Sequence, residues 1–300
     1  MALVNPVVLS AVQSVVQRVD DVRATLKLAR QYGGAAAAYS IRDIGADGGA
    51  VVRVRRSTGG EQDFSASEIT SGALATYVGA GNDGFVKTWY DQSGNGNNAT
   101  NTTTSEQPTI VSSGTYVGGV KFTGAADGSS PTFFTTDSRI GYTASHFCTY
   151  VIDDKIDQSL FTAIIGGRAQ SSAVGYHIGV SSSERPQVFY YGTGGDSNND
   201  SAGAADALNT TETALITIER SGQNVKGYKN GNLTDINYLA HNITTPTQDF
   251  NRIGTSQRLD QTVTGFGLGA ILKEVIMWES DLSGDRSDIE TNIKDYYSIT

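Results

Sequence analysis

From Ala35 to Thr300 the chain is a succession of short runs rich in β-branched and aromatic residues. They include "AVVRVRR", "GFVKTWY", "HFCTYVID", "VGYHIGV", "PQVFYYG", "TALITIER" and "GAILKEVIMW". Clusters of glycine, asparagine, serine and aspartate separate the runs. Glycine supplies 35 residues and proline only 5, the balance expected of many tight turns between short strands. Strands at this spacing with no helices between them pack as a sandwich or a barrel. In "VVRVRR", Val51 to Arg56, arginines partly alternate with valines, so the run reads as a strand with an arginine-bearing outer face.

Two short helices interrupt the β pattern. "SASEITSGALATYVG" predicts one, with Ile69, Leu74 and Tyr77 inward. "SGDRSDIETNIKDYY" predicts the other, capped by Ser283, with Ile289, Ile293 and Tyr296 on one face. Residues 1–33 differ from all that follows. Asn5 suits an N-cap, Pro6 the first helical position and Gly33 the C-terminal stop. Val8, Val12, Val15, Val19, Val22, Leu26 and Ala29 recur at alternating spacings of four and three, a heptad seam roughly 40 Å long if helical throughout. β-branched residues at both core positions favour three strands over two. The segment therefore predicts attachment or oligomerisation, either as a short parallel trimeric stalk or as a helix docked on its own domain or a neighbouring protein. The expected architecture is an N-terminal α-helix over 1–33, then one all-β domain over 34–300.

Charge and residue types exclude several chemistries. A net charge of −9 repels phosphate backbones, so nucleic acid is not an expected partner. No segment has the length and apolarity of a membrane span, and "MALVNPVVLS" has no basic n-region, so folding in a cytoplasm is expected. The single cysteine, Cys148, allows no intrachain disulfide and reads as a small buried hydrophobe. His146, His177 and His241 form no metal-ligand spacing, and the glycines of "GNGNN" do not open a helix after a strand as a phosphate loop requires. Asp196 and Asp200, with their asparagine neighbours, read as a solvated loop rather than a calcium site. No cofactor and no metal are expected.

"WYDQSGNGNNAT", Trp89 to Thr100, is the most distinctive run. Asp91 and Ser93 are placed to bond turn amides, and Gly94 and Gly96 supply conformations closed to other residues. The run resembles the first hairpin of laminin-G-like, concanavalin A-type domains. "VGGVKFTG" resembles the strand that follows, "TIERSGQNVKGYKNGNL" the paired central strands, and "IGTS" with "FGLGAILKEVIMWESDLSGDRSDIETNIKDYY" the last strands and closing helix. The run from Ala35 to Thr100 further resembles the start of the catalytic domain in the fungal α-L-arabinofuranosidase B family, a segment also found in phage structural proteins. The resemblance implies a concanavalin A-like jelly-roll sandwich.

It also implies where chemistry should sit. The family's nucleophilic glutamate follows Gly-Asn-Ala, and the nearest run here, "GGRAQ", ends in Gln170. A neutral amide cannot form the glycosyl ester. Thr255 and Ser256 stand where the second acid is expected, with Asp260 displaced, and one cysteine cannot form the family's vicinal disulfide. These departures predict a retained fold without hydrolysis. The expectation is a non-enzymatic structural protein of a phage tail or head, partnered by other virion proteins and by host surface glycans. The alternatives are a glycoside hydrolase of arabinofuranosidase type and a bacterial carbohydrate-binding or adhesion module. Tyr176, Tyr190, Tyr191, Asp196 and Asn198, near expected loop ends, are the candidate glycan contacts.

Overall fold

The computed structural model describes residues 27–124, 131–141, 145–154, 162–168, 175–181, 185–191, 202–203, 208, 211–238, 249–255 and 267–300. The valine seam from Val8 to Leu26, and Gln170, Asp196, Asn198 and Ser256, lie outside the described residues. At Leu28–Arg30 the chain is a single 3-10 turn, not α-helix, and Leu28 and Ala29 are buried against the domain. The Ala29 N–H donates to the Ile44 carbonyl at 2.9 Å.

The domain is an all-β sandwich in which, among the described residues, every strand pairing is antiparallel. The first layer contains β1 (Ala37–Ser40), β9 (Ser145–Asp153), β14 (Ala214–Ser221), β15 (Asn224–Lys229), β16 (Asn232–Tyr238) and β18 (Ala270–Trp278). Its pairings run β1, β18, β9, β14, β15, β16. The second layer contains β2 (Ala50–Arg56), β3 (Glu61–Ser65), β4 (Gly84–Trp89), β5 (Ala99–Thr100), β6 (Thr109–Ser112), β7 (Thr115–Phe122) and β8 (Phe134–Gly141). It is extended by β10 (Thr162–Arg168), β11 (Gly175–Val180), β12 (Pro186–Tyr191), β13 (Ala202–Gly203) and β17 (Asp249–Ile253). From β4 it continues through β5, β8, β17, β10, β11 and β12 to β13. The start of β18 pairs with β7, which ties the two layers together.

Alternation along the strands explains the packing. In β9, Cys148, Tyr150 and Ile152 enter the core between the layers, while Phe147 and Val151 face the opposite way. That outer face is also buried, so β9 reads as a continuous apolar run rather than an alternating one. Its cover is α3 (Arg286–Tyr297), which seats Ile289 and Ile293 against Phe147, Leu215, Ile276 and Trp278. The helix is capped at Asp285 rather than Ser283. Tyr296 is 52 % exposed, and the half-buried Tyr297 packs against this outer cluster instead.

A buried ion pair fastens α3 as well. Arg42 donates from Nε to Glu274 Oε2 at 2.7 Å and from Nη2 to Oε1 at 2.9 Å, with Glu274 fully buried. Ser40 donates to the same carboxylate at 2.7 Å, and Arg42 Nη1 reaches Asn292 of α3 at 2.9 Å.

In the second layer, Val52 and Val54 of β2 are buried while Arg53 and Arg55 are half-buried on the other side. The expected single helix after β3 is two, α1 (Ala66–Thr70) and α2 (Ala73–Val78). Gly72, at φ +83°, breaks them in a conformation that closes one helix and opens the next. Ile69, Leu74 and Val78 are buried, and Tyr77 is half-buried under the Arg56 guanidinium.

Candidate functional site

The turn after β4 comes first, because the sequence singled it out. The Asp91 carboxylate accepts from the backbone N–H of Ala38, Ser93 and Asn97, each at 2.9 Å, and from the Ser93 hydroxyl at 2.7 Å. Asn95 and Asn97 donate their side-chain amides to the carbonyls of Ala35 and Ala36. Buried Gln92 accepts from the Ile44 N–H and donates to the carbonyls of Ser40 and Arg42. Tyr39 donates its hydroxyl to the Asn97 carbonyl. These groups are consumed in clasping the segment around β1 to the turn. Gly94 and Gly96 adopt φ of +93° and +75°. Trp89 is in the core, tilted against Tyr39 and Phe134, while Tyr90 lies outside it and donates to Asp63.

The candidate tyrosines fall on two neighbouring strands. Tyr176 of β11 is the register partner of Tyr190 of β12, and Tyr191 pairs with Gly175. One register row crosses four strands here: Thr135 of β8, Arg252 of β17, Gly166 of β10 and His177 of β11. Cross-strand partners share a face, and glycine leaves the middle of this row without a side chain. Gly166 thus puts no side chain between Arg252 and His177, two strand spacings or roughly 10 Å apart, and both Gly166 and His177 are buried.

Arg252 is the chemically active member of this row. Its Nη1 donates to Thr135 Oγ1 at 3.0 Å, and the guanidinium lies 4.7 Å over the Phe133 ring. Burial holds its pKa below the ordinary arginine value, against the opposing pull of the Glu106 charge. Among the described residues, Arg252 Nε, Asn251 Oδ1 and Thr255 Oγ1 have no hydrogen-bond partner although all three atoms are buried. Arg252 and Asn251 are adjacent on β17, whereas Thr255 follows its end, after Gly254 at φ +89°. Sequence reasoning missed Arg252 and Asn251 because "DFNRI" carries no motif. The lone arginine in an apolar strand was the available signal.

Of the two aligned catalytic positions, Thr255 is buried two residues past the end of β17, and Gln170 lies outside the described residues.

A second polar cluster sits in the first layer beneath α3. Arg286 bonds Glu290 Oε2 through Nη1 at 2.6 Å, pairs with Glu219 Oε1 through Nε at 3.3 Å, and lies 4.0 Å over the Tyr228 ring. Tyr228 donates to Glu219 Oε2 at 3.0 Å. Burial raises the Glu290 pKa above the ordinary carboxylate value, and the neighbouring Glu219 charge adds to that rise. Thr217 and Arg286 oppose it. The Thr217 hydroxyl and Glu290 Oε1 are both buried beneath the helix and have no other partner. No group of three or more histidine, cysteine, aspartate or glutamate side chains placed to hold a metal occurs among the described residues.

No protein-family model matches the sequence, and no curated protein matches it. Solved structures do. An arabinofuranosidase complexed with arabinofuranosyl-α-1,2-xylobiose shares the fold at TM-score 0.58 and 15 % identity, over 87 % of this chain and 62 % of that one. A GH54 α-L-arabinofuranosidase soaked with a cyclic sulfate inhibitor matches at TM-score 0.58 and 16 % identity over the same shares. A mutant of such an enzyme soaked with 4-nitrophenyl α-L-arabinofuranoside matches at TM-score 0.57 and 15 % identity, again over 87 % of this chain and 62 % of that one. The chain thus spans about three fifths of the length of the enzymes it matches. The fold is theirs. This likeness overturns the expectation of a non-enzymatic phage virion protein: these three structures, which share the sandwich over 87 % of the chain, are arabinofuranosidases. The expectation rests on single aligned positions, Gln170 and Thr255, which a likeness of 15–16 % identity does not fix.

Proposed function

We propose that the chain is a glycoside hydrolase of arabinofuranosidase type, acting on glycans that carry arabinofuranosyl units. The observation that carries this reading is the sandwich shared with arabinofuranosidases over 87 % of the chain at a TM-score of 0.58. Arg252 supports it, because its half-buried guanidinium carries a buried Nε without an internal partner, a donor that a sugar hydroxyl satisfies.

The test is release of 4-nitrophenol from 4-nitrophenyl α-L-arabinofuranoside by the purified, folded chain. Turnover is expected, with Arg252→Gln raising KM more than it lowers kcat. A folded wild-type chain that releases no more 4-nitrophenol than buffer overturns the proposal.

A further inference from the structure

A cavity of about 10 Å³ lies between β9 and β18 of the first layer and β8 and β17 of the second. His146, Cys148 and Met277 line it from the first layer, Ile140 and Phe250 from the second. Cys148 and Met277 are register partners, and both belong to the core between the layers. Their Cβ atoms are therefore about 4.5–5.5 Å apart on one face. His146 precedes Cys148 by two residues, so it shares that face about 7 Å away. Its ring meets Phe250 edge-on at 6.5 Å between centroids, which puts the imidazole between the layers as well. A thiol, a thioether and an imidazole thus border one small space, with the exposed Glu279 at its rim.

Size and charge select the ligand. The cavity has room for one water-sized species, so it admits an ion and excludes organic molecules, thiol reagents included. Thiolate and thioether sulfur favour soft ions, copper(I) first among those of biology. The Cys148 thiol is lightly held, since its contact to the Thr149 carbonyl is long at 3.9 Å. Arg220, 1 % exposed, is the register partner of His146 on β14. Net positive charge beside that buried guanidinium is costly, which disfavours a divalent ion. Copper(I) bound by one thiolate adds no net charge.

We propose that His146, Cys148 and Met277 form a buried three-coordinate copper(I) site. Binding breaks the Cys148 S–H bond and forms an S–Cu bond, and the proton leaves to water. The copper stays copper(I), so no oxidant or reductant takes part. The site shares no residue with the β17 row and stands whether or not the chain hydrolyses arabinofuranosides.

The experiment equilibrates the purified full chain anaerobically with copper(I), supplied as its acetonitrile complex, and reads the product by native mass spectrometry. The chain has one cysteine, so thiol-dependent binding reports on this site alone. Wild type should hold one copper(I) per chain in competition with bicinchoninate. Met277→Leu nearly conserves core volume and should weaken retention about tenfold or more. Cys148→Ala should abolish it. Near-ultraviolet circular dichroism checks that both variants fold. Copper K-edge absorption of loaded wild type should show sulfur and nitrogen neighbours, a readout that needs no variant. The idea is overturned if folded wild type binds no copper(I), or if its copper has no sulfur neighbour. It is equally overturned if either folded variant retains copper(I) as wild type does, or if zinc(II) displaces copper(I) from the thiol.

Discussion

Asp91 carries more of this fold than its place in a glycine-rich turn suggests. Its carboxylate accepts four hydrogen bonds, one of them from Ala38 on β1. Hydrogen bonds to charged groups contribute about 1.5–3 kcal/mol each, without full additivity. Asp91→Ala is therefore expected to destabilise the domain by about 3 kcal/mol or more, measured by denaturant unfolding. Gly94→Val and Gly96→Val should also lower stability, since valine at positive φ is strained. The turn was legible in the sequence because a short side-chain acceptor and glycines recur at fixed offsets. Its partners were not, because the carbonyls of Ala35 and Ala36 lie about 60 residues upstream of the amides that bond them. Glu290 behaves in the opposite sense to the surface acids. Its folded pKa is raised, so its contribution is fully present below the unfolded value and is lost as pH rises through the folded one. Wild type should therefore lose stability relative to Glu290→Gln as pH climbs from the ordinary carboxylate range toward neutrality. Paired melting curves across that range check the sign.

At the scale of elements, α3 is the instructive case. Its existence was readable from isoleucines at a spacing of four, Ile289 and Ile293, but its cap and its aromatic contact were each displaced by one or two residues. What settles its phase is polar. Arg42 and Asn292 on one flank, and Arg286 and Glu290 on the other, fix the helix to buried carboxylates on β18 and β14. Arg42 and Glu274 are 232 residues apart, so no local pattern announces the pair. Removing one partner leaves an uncompensated buried charge, which typically costs about 3–5 kcal/mol. Arg42→Ala should fall in that range and should loosen α3 first, seen as faster amide exchange at Ile289 and Ile293 than in β9. The β17 row escaped detection for a related reason: its members come from four strands and only the register joins them.

For the whole molecule, the sandwich class was legible because alternation and turn chemistry recur along its length, whereas the order of strands within each layer is a property of long-range pairing. Cys148 gives a probe of that pairing. It is fully buried in the core, and burial pushes its thiol pKa far above the usual range. Native protein should resist thiol reagents, and labelling should keep pace only with global unfolding. Rapid labelling under native conditions contradicts this packing. The position of β18 has a consequence for synthesis. Ser40 of β1 meets Glu274 of β18 across 234 residues, and β18 is also the partner of β9 and β7. A ribosome adds about 5–20 residues per second, so β1 emerges on the order of tens of seconds before the strand that completes its layer. Through that interval the apolar faces of β1, β9 and β14 have no finished sheet to enter. A nascent chain halted before Ala270 should therefore be protease-sensitive throughout its first layer, because emergence of β18, rather than any local hairpin, is the event that lets this domain close.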